Sequence, residues 1–244
     1  MYRHHIIKNN EILNSAILME KIYNPLSSLP ENIETLQLHK SFSIKDTELA
    51  IYNDTNNDTI YVVFRGTSDV EDVATDIKYY PEKYMGTKIH KGFLKAYQYI
   101  EDAMIYDINN IVKNDSTVKI IFCGHSLGGA IAQIAFYTTL LTTKVRAYND
   151  NIFCITEGSP KVFTERYINE RHDAFTSRAI RITSGDDIVP SLPPRTPILR
   201  ITRNSYSHIG QHWNIGMKDY KGEIKEHHAN KYLEALQKEV FKDE

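Results

Sequence analysis

Residues 118–135 read Val-Lys-Ile-Ile-Phe-Cys-Gly-His-Ser-Leu-Gly-Gly-Ala-Ile-Ala-Gln-Ile-Ala. An apolar strand, Val118 to Cys123, runs into Gly124-His125-Ser126-Leu127-Gly128, and a helix over Leu127 to Leu141 starts at once. A G-x-S-x-G string alone arises by chance in many chains. Between a strand and a helix it has a mechanical meaning: the serine sits on a sharp, strained turn that lifts its hydroxyl above the sheet edge. Gly124 and Gly128 leave room where side chains would strike a neighbouring strand or helix. Gly129-Ala130 allow close packing behind the turn. The helix that begins at Leu127 directs its positive end toward the place where a negative oxygen would form. Ser126 is therefore the candidate nucleophile.

Before the elbow, apolar residues Phe93, Ala96, Tyr97, Ile100, Met104, Ile108 and Ile111 mark a long helix over 92–113. Ile12, Ala16, Leu18, Met19 and Ile22 recur at helical spacing over 10–24, where Asn24-Pro25 ends the pattern. Residues 41–53 and 59–65 read as two strands joined by the turn-rich Asn53 to Asp58 segment, and Ile60 to Phe64 as a central strand. Beyond the elbow come a strand at Asn151 to Thr156, a helix at Thr164 to His172 and a strand at Ala179 to Thr183. Strands near 198–203 and 212–217 and a last helix from about Ala229 to Phe241 complete the chain. Strands alternating with helices indicate a layered α/β domain on a mostly parallel sheet. No repeat, linker or low-complexity tract divides it, so residues 1–244 are read as one domain.

Composition excludes several classes. Over 244 residues, 41% are hydrophobic and 25% charged, enough apolar material to bury a core. The formal net charge of −2, with Lys and Arg scattered, argues against nucleic-acid binding, which wants a basic stripe. Cys123 and Cys154 each sit in an apolar run and read as buried fillers rather than metal ligands. Asn9, Asn10, Glu11, Asn14, Ser15 and Glu20 interrupt any secretory signal, and no apolar run is long enough to span a membrane. The expected compartment is the cytoplasm.

The chain resembles the class 3 lipase family, the fungal lipase-like branch of the α/β-hydrolases. The likeness rests on Val62-Val63-Phe64-Arg65-Gly66-Thr67, Gly86-Thr87-Lys88-Ile89-His90-Lys91-Gly92-Phe93, the elbow, Glu157-Gly158-Ser159-Pro160, Asp187-Ile188-Val189-Pro190 with Leu192-Pro193-Pro194, and Tyr206-Ser207-His208. It spans roughly residues 45 to 236. The resemblance implies the α/β-hydrolase fold and a serine esterase or lipase acting on carboxylic esters of acylglycerols, with no cofactor or metal. Its partner would be a lipid or ester small molecule, with peripheral contact at a lipid surface.

In that fold the chain order is Ser, then Asp or Glu, then His. The segment 179–190 ends a strand in Asp186-Asp187, and the family's D-x-V-P pattern selects Asp187. The family's catalytic histidine lies before the C-terminal helix, often five residues ahead of a tyrosine. His227 stands at that interval from Tyr232 and is preferred to His228; His208 reads as a packing residue. The backbone N–H groups of Thr67 and Leu127 are the implied oxyanion donors, and Arg65 reads as structural. Between Ser68 and Pro81 the family places a lid. Here Val70, Val73, Ala74 and Ile77 form one small apolar face of an acidic helix. Glu157 stands where the family usually has an aromatic or aliphatic residue, and pairing with a nearby Arg or Lys is the one physical account that the sequence offers for it. Alternative readings are a phospholipase A1, a soluble-ester hydrolase, or a non-catalytic binding scaffold.

Overall fold

Three strands have no hydrophilic face. Thr59–Phe64 (β4) and Ile152–Glu157 (β8) are buried at every position, and Lys119–His125 (β7) at all but its first. Strands of this kind need cover on both faces of the sheet. The computed structural model, which describes residues 7–67, 80–112, 117–142, 144–145, 149–164, 177–185, 187–194, 205–216 and 227–240, supplies that cover with two helical layers.

Among the described residues the main sheet has eight strands in the order β1-β2-β3-β4-β7-β8-β10-β12. Its outer part is antiparallel: Asn32–Ile33 (β1), Leu36–Ile44 (β2), Thr47–Asp54 (β3), then β4. From β4 onward it is parallel through β7, β8, Ala179–Ser184 (β10) and Gln211–Ile215 (β12). Alternate residues point to opposite faces. Val62, Phe64, Ile120 and Phe122 therefore pack with Lys91–Val112 (α2) and Leu127–Leu141 (α3). Tyr61, Val63, Ile121, Cys123, Phe153 and Ile155 face the other layer, made by Asn9–Lys21 (α1) and Ala229–Val240 (α4). The α1 and α4 helices also pack on each other. Among the described residues no helix is long and apolar enough to cross a membrane.

The α/β-hydrolase architecture expected from the sequence is present, and the boundaries of α3 coincide with the Leu127 to Leu141 reading. Three expected segments, the helix after Thr164, the strand near 198–203 and the lid over 68–79, lie outside the described residues.

One reading is corrected. Residues 41–53 are not one strand: a two-residue turn at Lys45-Asp46 folds β2 back onto β3, with Ile44 paired to Thr47. Both turn residues have positive φ, +50° and +63°. A turn of this hand matches the twist of a hairpin but favours Asn-Gly, and neither residue is present to signal it. A second, small sheet was also unanticipated. Its order is β11-β9-β6-β5, built from Tyr206–Ser207, Phe163–Thr164, Thr87–His90 and Pro81–Tyr84.

The Lys45-Asp46 turn carries a conformational cost that Asn-Gly would relieve, because a side-chain-bearing residue at left-handed φ costs about 1–2 kcal/mol. The double substitution Lys45→Asn with Asp46→Gly is expected to raise stability by roughly 1 kcal/mol. Urea unfolding should show a higher midpoint at constant m. A lower midpoint would mean that the native side chains stabilise the hairpin by more than their strain.

Candidate active site

The parallel strands end together at one edge of the main sheet, and the loops leaving β4, β7, β8 and β10 converge there. Ser126 occupies the single residue between β7 and α3, at φ +59° and ψ −128°, a conformation that side-chain-bearing residues avoid. Two backbone bonds hold it. Its N–H donates to the Glu157 carbonyl at 3.0 Å, and its carbonyl accepts from the Ala130 N–H at 3.2 Å. Gly128 makes the turn sterically feasible: a Cβ there would lie 2.1 Å from the Phe64 carbonyl oxygen. Ser126 is fully buried, and its Oγ has no hydrogen-bond partner.

Asp187 leaves the end of β10, its N–H donating to the Ser184 carbonyl at 3.0 Å. Three donors converge on its carboxylate. The Val189 N–H reaches Oδ1 at 2.9 Å, the Tyr232 hydroxyl reaches Oδ2 at 2.5 Å, and His227 Nδ1 reaches Oδ2 at 2.7 Å. Both side chains of the His227–Asp187 pair are wholly withdrawn from solvent. Because the carboxylate only accepts, Nδ1 carries the proton. In the neutral imidazole Nε2 is then left as an acceptor, and it is unpaired in the structure. The site thus holds a buried hydroxyl and a buried ring nitrogen with its lone pair free, each without a partner. His228, the adjacent residue, is exposed. Asp186 lies outside the described residues.

Gly158, with φ +56°, forms the floor under the pair. A Cβ at that position would come within 2.8 Å of His227 Cε1 and 2.9 Å of Asp187 Oδ2.

Thr67, just beyond β4, and Leu127, the first residue of α3, line one cleft of about 620 Å³ together with Ile131 and Ala96. Thr67 also borders a smaller cleft of about 280 Å³ that contains His125, His227 and Tyr23. Thr67 is thus common to the walls of both clefts. Arg65 pairs with Glu48 at 2.7 Å, a structural role. His208 bonds the Pro190 carbonyl at 2.7 Å through Nε2, and burial pushes its pKa down to about 3, consistent with packing. Among the described residues no group of three or more His, Cys, Asp or Glu could hold a metal ion.

One feature went unread in the sequence, and the surroundings of another differ from the expectation. Tyr23, just after α1, places its hydroxyl 2.8 Å from His125 Nδ1. The His125 ring lies 4.5 Å, centroid to centroid, from that of His227. Burial, followed by the proximity of His227, drives the His125 pKa well below the ordinary imidazole range. Nothing at Tyr23 marks it in sequence, since its place depends on where α1 docks. The second feature is Glu157. Among the described residues the Arg or Lys partner expected for it is not there: Glu157 is fully buried, and neither carboxyl oxygen has a hydrogen-bond partner.

Residues 61–196 match the family described as lipase (class 3). The lipase of Rhizomucor miehei is 33% identical over 167 residues, which make up 66% of this chain and 45% of that protein. The chain thus spans less than half the length of this relative. The solved structure of the Rhizomucor miehei triacylglyceride lipase superposes with a TM-score of 0.72 at 26% identity, covering 84% of this chain and 79% of that one. A further solved structure, of a triacylglycerol lipase whose catalytic centre is a serine protease triad, gives a TM-score of 0.72 at 27% identity with the same coverage.

The Tyr232 hydroxyl tests how tightly the acid–histidine pair is tied to the fold. A hydrogen bond to a charged group contributes about 1.5–3 kcal/mol. Tyr232→Phe removes it without opening a cavity, so a loss of that size is expected in urea unfolding. A change below about 0.5 kcal/mol would show that the other two donors suffice.

Proposed function

Because the chain belongs to the class 3 lipase family, we propose that it is a serine esterase that hydrolyses carboxylic esters of acylglycerols, with Ser126, His227 and Asp187 as its catalytic residues. The observation that carries this reading is the buried Asp187–His227 contact of 2.7 Å beside a nucleophile elbow. The strained turn has a conformational cost that a serine in a purely structural role would avoid.

In the proposed reaction Ser126 Oγ attacks the ester carbonyl carbon while His227 Nε2 takes the hydroxyl proton. Asp187 holds the ring through Nδ1 and stabilises the imidazolium that forms. The carbonyl oxygen becomes an oxyanion facing the backbone N–H groups of Thr67 and Leu127. One such donor typically contributes about 2.7–4 kcal/mol to transition-state stabilisation. His227 returns the proton to the leaving alcohol, which departs and leaves an acyl ester on Ser126. Water then enters, His227 removes its proton, and the acid is released with the serine regenerated. Contact with a lipid surface would bring such esters to the sheet edge.

Covalent labelling tests this directly. A fluorophosphonate probe is expected to label the wild-type protein and not Ser126→Ala. His227→Ala should slow labelling by about 10³-fold or more, as expected when a general base is lost, whereas His228→Ala should stay within a few-fold of wild type. A folded wild-type protein that takes no label would favour a binding scaffold over an enzyme. Equal effects of the two histidine variants would remove His227 from its role.

A further inference from the structure

Glu157 ends β8, and its carbonyl accepts from the Ser126 N–H at 3.0 Å, so its main chain already holds the elbow. Its side chain points to the α1 and α4 layer, the face shared by Cys123 and Ile155. In register it lies opposite His125 on β7 and Ile182 on β10. The next residue, Gly158, is the floor against which the Asp187–His227 pair rests.

The groups that face Glu157 are Cys123 and His125 on β7, Tyr23 after α1, and Tyr232 on α4. The last is the residue whose hydroxyl donates to Asp187; β10 places Ile182 opposite Glu157. No cation among them compensates a carboxylate. Burial alone pushes the Glu157 pKa up to about 8. An acid in this position stays neutral and fills space while it keeps its proton. Once ionised, it sets a buried negative charge beside Tyr232, the residue that donates to Asp187, with no donor of its own. The cluster can meet that charge only by shifting or by admitting water.

Resting on the hydrolase reading above, we infer that Glu157 is a positioning residue that keeps the acid–histidine pair in place only in its protonated form, so that its ionisation sets an alkaline limit to the reaction. Glu157→Gln preserves the shape and removes the titration.

The experiment follows tributyrin hydrolysis by pH-stat between pH 6 and 10, together with thermal unfolding from pH 5 to 9. For the wild type, kcat/KM should fall reversibly by about tenfold per pH unit above roughly pH 8. In Glu157→Gln this limb should move up by at least one pH unit. Unfolding gives a readout independent of turnover. The folded carboxyl keeps its proton to about pH 8, whereas the unfolded one releases it near 4.5, so the folded state binds more protons between those values. Wild-type stability relative to Glu157→Gln should therefore decline from pH 5 to pH 8 and then level off.

An unchanged alkaline limb in Glu157→Gln, or a stability difference independent of pH, overturns the inference. If neither protein hydrolyses the ester or takes the fluorophosphonate label, the hydrolase reading fails, while the unfolding series still judges whether Glu157 titrates. Should Glu157→Gln not fold, infrared difference spectra of the wild type replace it. A protonated carboxylic C=O band present at pH 7 and lost by pH 9 supports the inference, and its absence at pH 7 overturns it.

Discussion

A carboxylate withdrawn from water must be met by donors, and at Asp187 that requirement ties distant parts of the chain together. An uncompensated buried charge costs several kcal/mol or more, so the position is tolerable only because three donors arrive at once. One is local, the Val189 N–H two residues on. The other two come from the far end of the chain: His227 just before α4, and Tyr232 inside it. The docking of α4 is thereby coupled to the site. Tyr232 and Leu236 are both fully buried, and the helix that they anchor also packs on α1. Displacement of α4 would strand the carboxylate as well as expose apolar surface. The contact that orients the histidine is therefore also one that closes the second layer over the sheet.

The parallel half of the sheet provides the other constraint. Ser126, Gly158 and Asp187 follow the ends of β7, β8 and β10, three strands side by side in that order. Parallel strands all finish at the same edge, so residues remote in sequence become neighbours without any long loop reaching across. The close approach of Gly128 to the Phe64 carbonyl then locks the elbow against β4. Thr67 leaves that same strand, which places the expected oxyanion loop beside the serine.

How much of this could be read from residues alone follows from the range over which each signal acts. The helices were legible because their apolar faces repeat within a few turns: α3 coincides with its expected limits, and α2 and α4 fall within a residue of theirs. The elbow was legible because strand, glycines and helix are contiguous. Lys45-Asp46 was not, since a turn with positive φ at both positions usually announces itself with Asn or Gly. The small second sheet was missed because strands of two to four residues are too short for alternation to show. At the candidate site, the choice between His227 and His228 rested on spacing to Tyr232, and the structure supplies a physical reason for that spacing. One turn into α4, the tyrosine hydroxyl meets the same carboxylate oxygen as the histidine. Tyr23 could not have been foreseen, because no local pattern determines which strand end it reaches.

Glu157 shows where local reasoning fails most instructively. A buried acid is ordinarily expected to have a cation, and the sequence offers many. The structure instead surrounds it with tyrosines, a histidine, a thiol and aliphatic side chains, all on the one face of the sheet where the polar residues beneath the site collect. The opposite face, against α2 and α3, packs β4 and β7 with apolar side chains. Unpaired polar atoms on the site's side, Ser126 Oγ, His227 Nε2 and both Glu157 oxygens, cluster at a single sheet edge. Each is a cost to folding that well-packed apolar residues would avoid. Packing over the rest of the sheet offsets these costs and the strain held at the elbow.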